Sequence, residues 1–172
     1  RDTRFGIRNY CDSQGVAVNR LYFGGRIEPK SDHYARLHVS DFAMDTFHVN
    51  MSSGALDNIW AELPVLTLTG DLYYSRISSS FNKSMGLTWL NTTCIESYVS
   101  KAIELASDAV LVKKLKSHIA DAKHKSSLFD GEMFAAELAS GLRAAVRRTV
   151  QNLPPATIAI APIFPAISEF EG

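Results

Sequence analysis

Three short stretches of the chain collect the side chains best suited to chemistry. The first is Glu28-Pro29-Lys30-Ser31-Asp32-His33-Tyr34-Ala35-Arg36, in which Lys30, His33 and Arg36 recur every third residue. On a helix that spacing puts two cations and a flat ring on one face. Such a face can stack on a nucleobase and bond ribose, base or phosphate oxygens. A solvated helix face gives the same pattern. The second stretch is Asn50-Met51-Ser52-Ser53-Gly54-Ala55-Leu56-Asp57. Small residues at Ser53 and Gly54 let backbone approach a ligand, and a helix starting there turns free N–H groups toward a diphosphate. Asp57, one turn inside, can accept hydrogen bonds from ribose hydroxyls; an ordinary serine N-cap with a first-turn acid is the plainer alternative. The third stretch, Thr69-Gly70-Asp71 with Ser75-Arg76, is a glycine turn feeding a helix. There Arg76 is either a ligand group or a tie between loops.

What is missing narrows the chemistry. The sequence has no GxGxxG, no GxxxxGK[ST], no HExxH and no GxSxG. A standard dinucleotide site, a P-loop, a zincin and an α/β-hydrolase elbow are therefore not encoded. His118 and His124 are six apart and do not share a helix face as paired metal ligands would. No Asp-x-Asp occurs, which disfavours a sugar transferase that grips its donor through a metal. Cys94 has no base near it in sequence and reads as structural.

The elements that must position these residues alternate over the first 85 positions. Residues 20–25 read as a buried strand ending in a glycine turn, and Pro29 starts a helix through about Leu37. Phe42-Ala43-Met44 is a second strand, closed by Asp45. A helix over Gly54–Glu62 follows, with Leu56, Ile59, Trp60 and Leu63 at spacings of three and four. Residues 64–68 are a third strand, and a helix runs from about Tyr73 to Ser84. Strand–helix alternation with short loops predicts an open α/β sheet of parallel strands, with its ligand beyond their carboxyl ends. Ile95–Ala106, Val110–His124 and Met133–Val150 read as helices. Residues 156–167 form an apolar, proline-broken segment, either an edge strand or a piece packed on another domain.

Composition agrees with a globular domain and excludes several classes. The 172 residues are 46% hydrophobic, and 18 basic groups balance 18 acidic ones, so no basic face for bulk nucleic-acid binding is announced. No window has the roughly 20 apolar residues of a membrane span. Two cysteines, Cys11 and Cys94, offer no disulfide framework and favour a reducing, cytoplasmic setting. The abrupt charged start without Met suggests a piece of a longer chain.

In order, the three stretches resemble a known family. Asp57-Asn-Ile-Trp60-Ala-Glu-Leu-Pro64-Val-Leu-Thr-Leu-Thr-Gly70, then Ser75-Arg76-Ile-Ser-Ser-Ser, is similar to the D-x-LW-x-G-x-PV-x-T-x-x-G…SRV-x-x-S run of the O-linked N-acetylglucosamine transferases and their SPINDLY-like relatives. Pro29-Lys30-x-x-His33-x-x-Arg36 resembles that family's nucleotide loop. Met85-Gly-Leu, Tyr98-Val-x-x-Ala-x-x-Leu-Ala106-x-Asp108 and Ser127-Leu-Phe129-Asp130 follow in family order. The resemblance covers roughly residues 20–150.

The resemblance implies half of a two-lobed, Rossmann-like GT-B glycosyltransferase. Residues 1–150 would be part of the C-terminal, nucleotide-sugar-binding lobe, with 151–172 an unassigned tail. His33 would stack on uracil, Arg36 and the backbone near Glu28 would read the base edge, and Lys30 and Asp57 would bond ribose. Ser53 and Gly54 would meet the diphosphate, with Arg76 beside them and no metal or other cofactor required. The implied reaction moves N-acetylglucosamine from its UDP donor to protein Ser or Thr hydroxyls. The implied partners are an upstream N-terminal lobe, TPR repeats, a nucleotide sugar and an acceptor protein. The family's phosphate-binding lysine lies upstream of Arg1, so this piece is expected to be inactive by itself. A GDP-fucose- or UDP-glucose-using enzyme, a non-catalytic nucleotide-binding module and an epimerase of the same fold are the rivals. Three positions depart from the family pattern: Gly54 where a threonine is usual, Glu62 where a glycine is usual, and Ala145-Val146 in place of Met-Trp.

Overall fold

The computed structural model describes residues 3–172. They fall into two units that divide inside one helix, the first ending at His33 and the second spanning Tyr34–Gly172.

The first unit holds helix α1 (Thr3–Ser13), a 3-10 turn at Val18–Arg20 and the opening of α2 (Lys30–His38). The sequence reading missed α1, an amphipathic helix that buries none of its residues. Arg8 places its guanidinium 5.1 Å from the Phe23 ring centre. The strand expected over 20–25 does not form. Residues 21–27 carry no ladder, and Tyr22 is 94% exposed. Apolar composition alone cannot make a strand, because its N–H and C=O groups need a neighbour. No such neighbour lies beside this segment among the described residues.

The second unit contains the parallel sheet. Strands β1 (Ala43–Met44), β2 (Val65–Leu68) and β3 (Asn91–Thr92) lie in the order β1-β2-β3. Ala43 pairs with Val65 and Met44 with Leu66, while Thr67 pairs with Asn91 and Leu68 with Thr92. Helix α3 (Ser53–Trp60) connects β1 to β2, and α4 (Ile77–Ser84) connects β2 to β3. Alternation is therefore realised from residue 42 onward, as an α/β sheet flanked by helices. The expected helix over 73–84 starts as a 3-10 turn at Tyr73–Ser75 and breaks at Arg76.

β2 is the central strand and buries Val65, Leu66 and Thr67 completely, which is why it reads as a continuous apolar run. β3 escaped the sequence reading because it is two polar residues long. It is held by side chains: Asn82 Nδ2 donates to Asn91 Oδ1 and to the Val65 carbonyl, both at 2.9 Å. Thr92 Oγ1 donates to the Thr67 carbonyl at 2.9 Å.

Three helices follow: α5 (Ile95–Ser107), α6 (Ala109–Ala122) and α7 (Gly131–Val150). Asp108 and Asp130 cap α6 and α7 by accepting from two backbone N–H groups each, at 2.9–3.0 Å. Ile59, Leu66, Met85, Leu87, Leu90, Leu105, Leu115 and Ile119 form the core. Trp60, expected inside with Ile59, is instead 41% exposed, its ring edge-on to Phe129 and His124.

The segment 156–167 is not an edge strand, since it carries no ladder. The chain beyond α7 lies against its own unit. Arg148 donates to the Pro154 carbonyl at 2.6 Å, and Phe170 N donates to the Gly86 carbonyl at 2.7 Å. Glu169 Oε2 accepts from Thr88 Oγ1 at 2.6 Å and Thr88 N at 3.2 Å. The Phe170 ring stands edge-on to Trp89 and His118, with centroids 6.1 and 5.7 Å away. Gly86 makes this docking possible: its φ is +65°, and a Cβ there would collide with the Ser168 carbonyl oxygen. Gly86→Ala is expected to cost about 1–3 kcal/mol, combining left-handed strain with the displaced segment. Urea unfolding should show the loss, and limited proteolysis should then cut first within 165–172.

Candidate functional site

The site is built where β1 and β2 end. Asp45, the residue after β1, is 3% exposed and organises the loop that follows. Its Oδ1 accepts from Thr46 N at 2.8 Å and Met51 N at 2.7 Å, and its Oδ2 accepts from Thr67 Oγ1 at 2.8 Å. Tyr98 on α5 donates its hydroxyl to the Asp45 carbonyl at 3.0 Å. Burial, with Asp45's charge beside it, pushes the Tyr98 phenol up to about 12, so it stays a donor. The sequence reading gave Asp45 only the task of ending a strand. An acid directly after an apolar strand was the signal available.

This loop delivers the start of α3. Ser52, just before the helix, has φ 52° and ψ −116°, a conformation L-residues rarely adopt. The strain falls on Ser52 and not on Gly54, where a Cβ would meet only Met51 Cβ at an ordinary 3.5 Å. Ser53 is exposed and Gly54 half-buried, in the first turn of α3, with Asp57 half-buried one turn on. Asp57 Oδ1 accepts a hydrogen bond from Tyr34 Oη at 3.1 Å. Arg76, exposed at the break before α4, lines a cavity of about 640 Å³ with Ser52, Thr69, Tyr73 and Lys83. The third stretch is tight: Gly70 N donates to the Ser75 carbonyl at 3.0 Å, and a Cβ on Gly70 would sit 2.5 Å from Ser75 Oγ.

Helix α2 forms as expected and carries Lys30, His33 and Arg36 at i, i+3 and i+6. Lys30 is exposed, while His33 and Arg36 are half-buried. Glu28, exposed, pairs through Oε1 with Arg26 at 2.7 Å. Glu28, Lys30 and His33 belong to the first unit; Arg36, Ser53, Gly54, Asp57 and Arg76 belong to the second. Among the described residues, no three His, Cys, Asp or Glu side chains converge to hold a metal ion.

The C-terminal end of α2 is fixed by a charged cluster. His38 Nδ1 lies 3.1 Å from the Ala61 carbonyl and 3.9 Å from Glu62 Oε2. Lys116 donates to the carbonyls of His38 and Ser40. Glu62, at the position where the resemblance gives glycine, has φ +61°, left-handed at a cost of about 1–2 kcal/mol for an L side chain. Its carboxylate is held at 2.7 Å by Lys123, which also donates to the Trp60 carbonyl at 3.3 Å.

Replacing Asp45 by alanine is expected to cost about 3 kcal/mol in urea unfolding, since three donors lose a charged acceptor. Asp45→Asn should lose about 1 kcal/mol, because its Oδ1 can keep both N–H bonds while Nδ2 turns to Thr67 Oγ1. For Glu62, the Lys123 hydrogen bond, opposed by burial and helped by the charges of Lys123, His38 and His124, holds the carboxyl below 4.5. A depressed acid stabilises fully above its unfolded value, and the contribution drains as pH falls through the folded one. Urea midpoints between roughly pH 5 and 3 should therefore fall less steeply in Lys123→Met than in the parent chain.

Comparison with known proteins bears on the whole arrangement. Residues 3–138 match the profile described as glycosyl transferase family 41. The chain is 26% identical over 148 residues to the UDP-N-acetylglucosamine--peptide N-acetylglucosaminyltransferase of Caenorhabditis elegans, covering 86% of this chain and 13% of that protein. It is 29% identical over 117 residues to a Petunia hybrida protein described as a probable UDP-N-acetylglucosamine--peptide N-acetylglucosaminyltransferase SPINDLY, covering 68% of this chain and 13% of that protein. The structure superposes with a TM-score of 0.80, at 28% identity, on a mutant of the Thermobaculum terrenum O-GlcNAc transferase, covering 87% of this chain and 29% of that one. The chain thus spans a small part of the proteins it matches. With most of its length matched by one family profile, a parallel sheet of the same fold and the expected motifs in order, the chain belongs to glycosyl transferase family 41.

Proposed function

We propose that this chain is the donor-binding part of a glycosyltransferase that moves N-acetylglucosamine from UDP-N-acetylglucosamine to Ser or Thr hydroxyls of proteins. The observation that carries the reading is the start of α3. In a chain of this family, a helix N-terminus with a strained preceding residue, Ser52, opens at the carboxyl end of a parallel sheet. A helix start suits a diphosphate through the positive end of its dipole, and Asp57 lies one turn on to bond ribose; within this first turn Gly54 N and Ala55 N donate to the Met51 and Ser52 carbonyls at 3.0 and 2.9 Å. In the first unit, His33 is proposed to stack on the base, the backbone near Glu28 to read its edge and Lys30 to bond ribose; in the second, Arg36 is proposed to read the base edge, Asp57 to bond ribose and Arg76 to add a cation near the phosphates.

The reaction inverts the sugar carbon. The acceptor oxygen attacks the anomeric carbon from the face opposite UDP, the bond to the β-phosphate oxygen breaks, and the hydroxyl proton leaves to a base outside this chain. Backbone donors and cations stabilise the departing UDP, so no metal is needed. The remaining catalytic groups belong to an upstream lobe, with TPR repeats presenting the acceptor. The exposed apolar stripe of α7, Phe134, Leu138, Leu142, Val146 and Val150, supports a second lobe as a covering partner. Unpaired Cys11 and Cys94 agree with a cytoplasmic setting, and no helix among the described residues is long and apolar enough to cross a membrane.

Ligand-observed NMR of UDP and GDP against this chain tests the reading. UDP is expected to bind with a Kd near the millimolar range, and Asp57→Ala and Lys30→Ala should each weaken it about tenfold. GDP displacing UDP would overturn the donor assignment in favour of a guanosine-nucleotide sugar. Binding indifferent to both substitutions would overturn the site.

A further inference from the structure

We infer that the pocket between the end of α3, the end of α6 and the start of α7 takes an arginine side chain from a second polypeptide. It uses no residue of the donor-site reading, so the two stand or fall separately. The pocket has a volume of about 460 Å³, and its lining includes Trp60, Lys123, His124, Phe129, Asp130 and Glu132. All of these belong to the second unit. Trp60 is left 41% exposed, and its ring is inclined at 61° to Phe129 and 71° to His124, with centroids 5.3 and 6.3 Å away. Rings inclined in this way wall a hollow on several sides, where a flat stack would close it.

Charge decides what the hollow takes. Asp130 Oδ1 caps α7, accepting from Glu132 N at 2.9 Å and Met133 N at 3.0 Å, which leaves Oδ2 for a ligand. Among the described residues, no lysine or arginine pairs with Asp130 or Glu132. Lys123, the permanent cation of the lining, is already matched: Glu62 holds its ammonium at 2.7 Å, and it also donates to the Trp60 carbonyl at 3.3 Å. Its Nζ stands 5.3 Å from the Trp60 ring centre, near the outer limit of cation–π attraction, so the indole keeps capacity for a closer cation. The positive end of α7 offsets about half a charge, and two carboxylates still leave the pocket anionic. A guanidinium fits both features, because it stacks flat on an indole while its in-plane N–H groups reach carboxylates. A quaternary ammonium has no donors for them. Free arginine carries a carboxylate of its own, which Asp130 and Glu132 repel; within a polypeptide that charge is absent.

The test titrates the isotope-labelled full chain with Nα-acetyl-arginine methylamide at low salt, following the indole N–H signals of Trp60 and Trp89 by NMR. A saturating shift is expected at Trp60 and none at Trp89, with a Kd near the millimolar range. The citrulline counterpart, similar in shape but uncharged, should bind about tenfold more weakly. Asp130→Asn combined with Glu132→Gln should cost about tenfold as well, since asparagine still caps α7. Trp60→Leu, read at the Gly131 amide, should cost about threefold. Equal binding of the citrulline compound, or binding unchanged in the doubly substituted chain with a native-like spectrum, would overturn the inference. Free arginine or tetramethylammonium binding as tightly as the capped arginine would also overturn the assignment to a polypeptide arginine. None of these outcomes bears on UDP binding.

Discussion

A single buried carboxylate holds the carboxyl end of this sheet together. Asp45 leaves β1, turns the chain by accepting from Thr46 and Met51, and reaches across to Thr67 on the central strand. Asp45 is 3% exposed and Thr67 fully buried, so the Thr67 hydroxyl would otherwise be left unsatisfied in the interior. The path from β1 into α3 is therefore fixed at both ends, and the left-handed turn at Ser52 is imposed by its surroundings. Asn50 continues the same arrangement, donating N–H to the Tyr74 carbonyl and accepting from Ser78 N. Two loops that carry no regular structure of their own are thereby tied to the rigid sheet.

Much of the fold was legible because its signals are local. β2 is a run of apolar residues, and α3 has apolar positions three and four apart. The failures share a physical origin in partners distant along the chain. Residues 20–25 have the composition of a strand but no ladder beside them. β3 has the ladder but not the composition, because Asn82, Ser79 and Thr67 supply its bonds. Trp60 fits the apolar stripe of α3 yet faces outward, where Lys123 and His124 gather around it.

The candidate site was legible in the same uneven way. Lys30, His33 and Arg36 were named as candidates because helical spacing lines them up, and Ser53, Gly54 and Asp57 because helix starts have recognisable composition. Tyr34 was passed over since its bond to Asp57 depends on the pairing of two helices, which no single stretch of sequence encodes. Glu62 makes the complementary point. Its type says nothing of a left-handed backbone, and only its attachment to Lys123 explains why a charged side chain occupies a turn better suited to glycine.

The docking of Phe170 on Gly86 has a further consequence for the order in which the molecule assembles. Thr88 and Glu169, which hydrogen-bond beside that contact, are 81 positions apart. Closing so large a loop is entropically costly until the body it lands on has formed, so the contact belongs to the final stage of folding. The same economy runs in reverse: strands and helices that nucleate early exchange their amide protons slowly, and a late, few-contact segment opens first. The protein therefore has a graded native state, in which the stretch around Phe170 breathes while β2 remains shut.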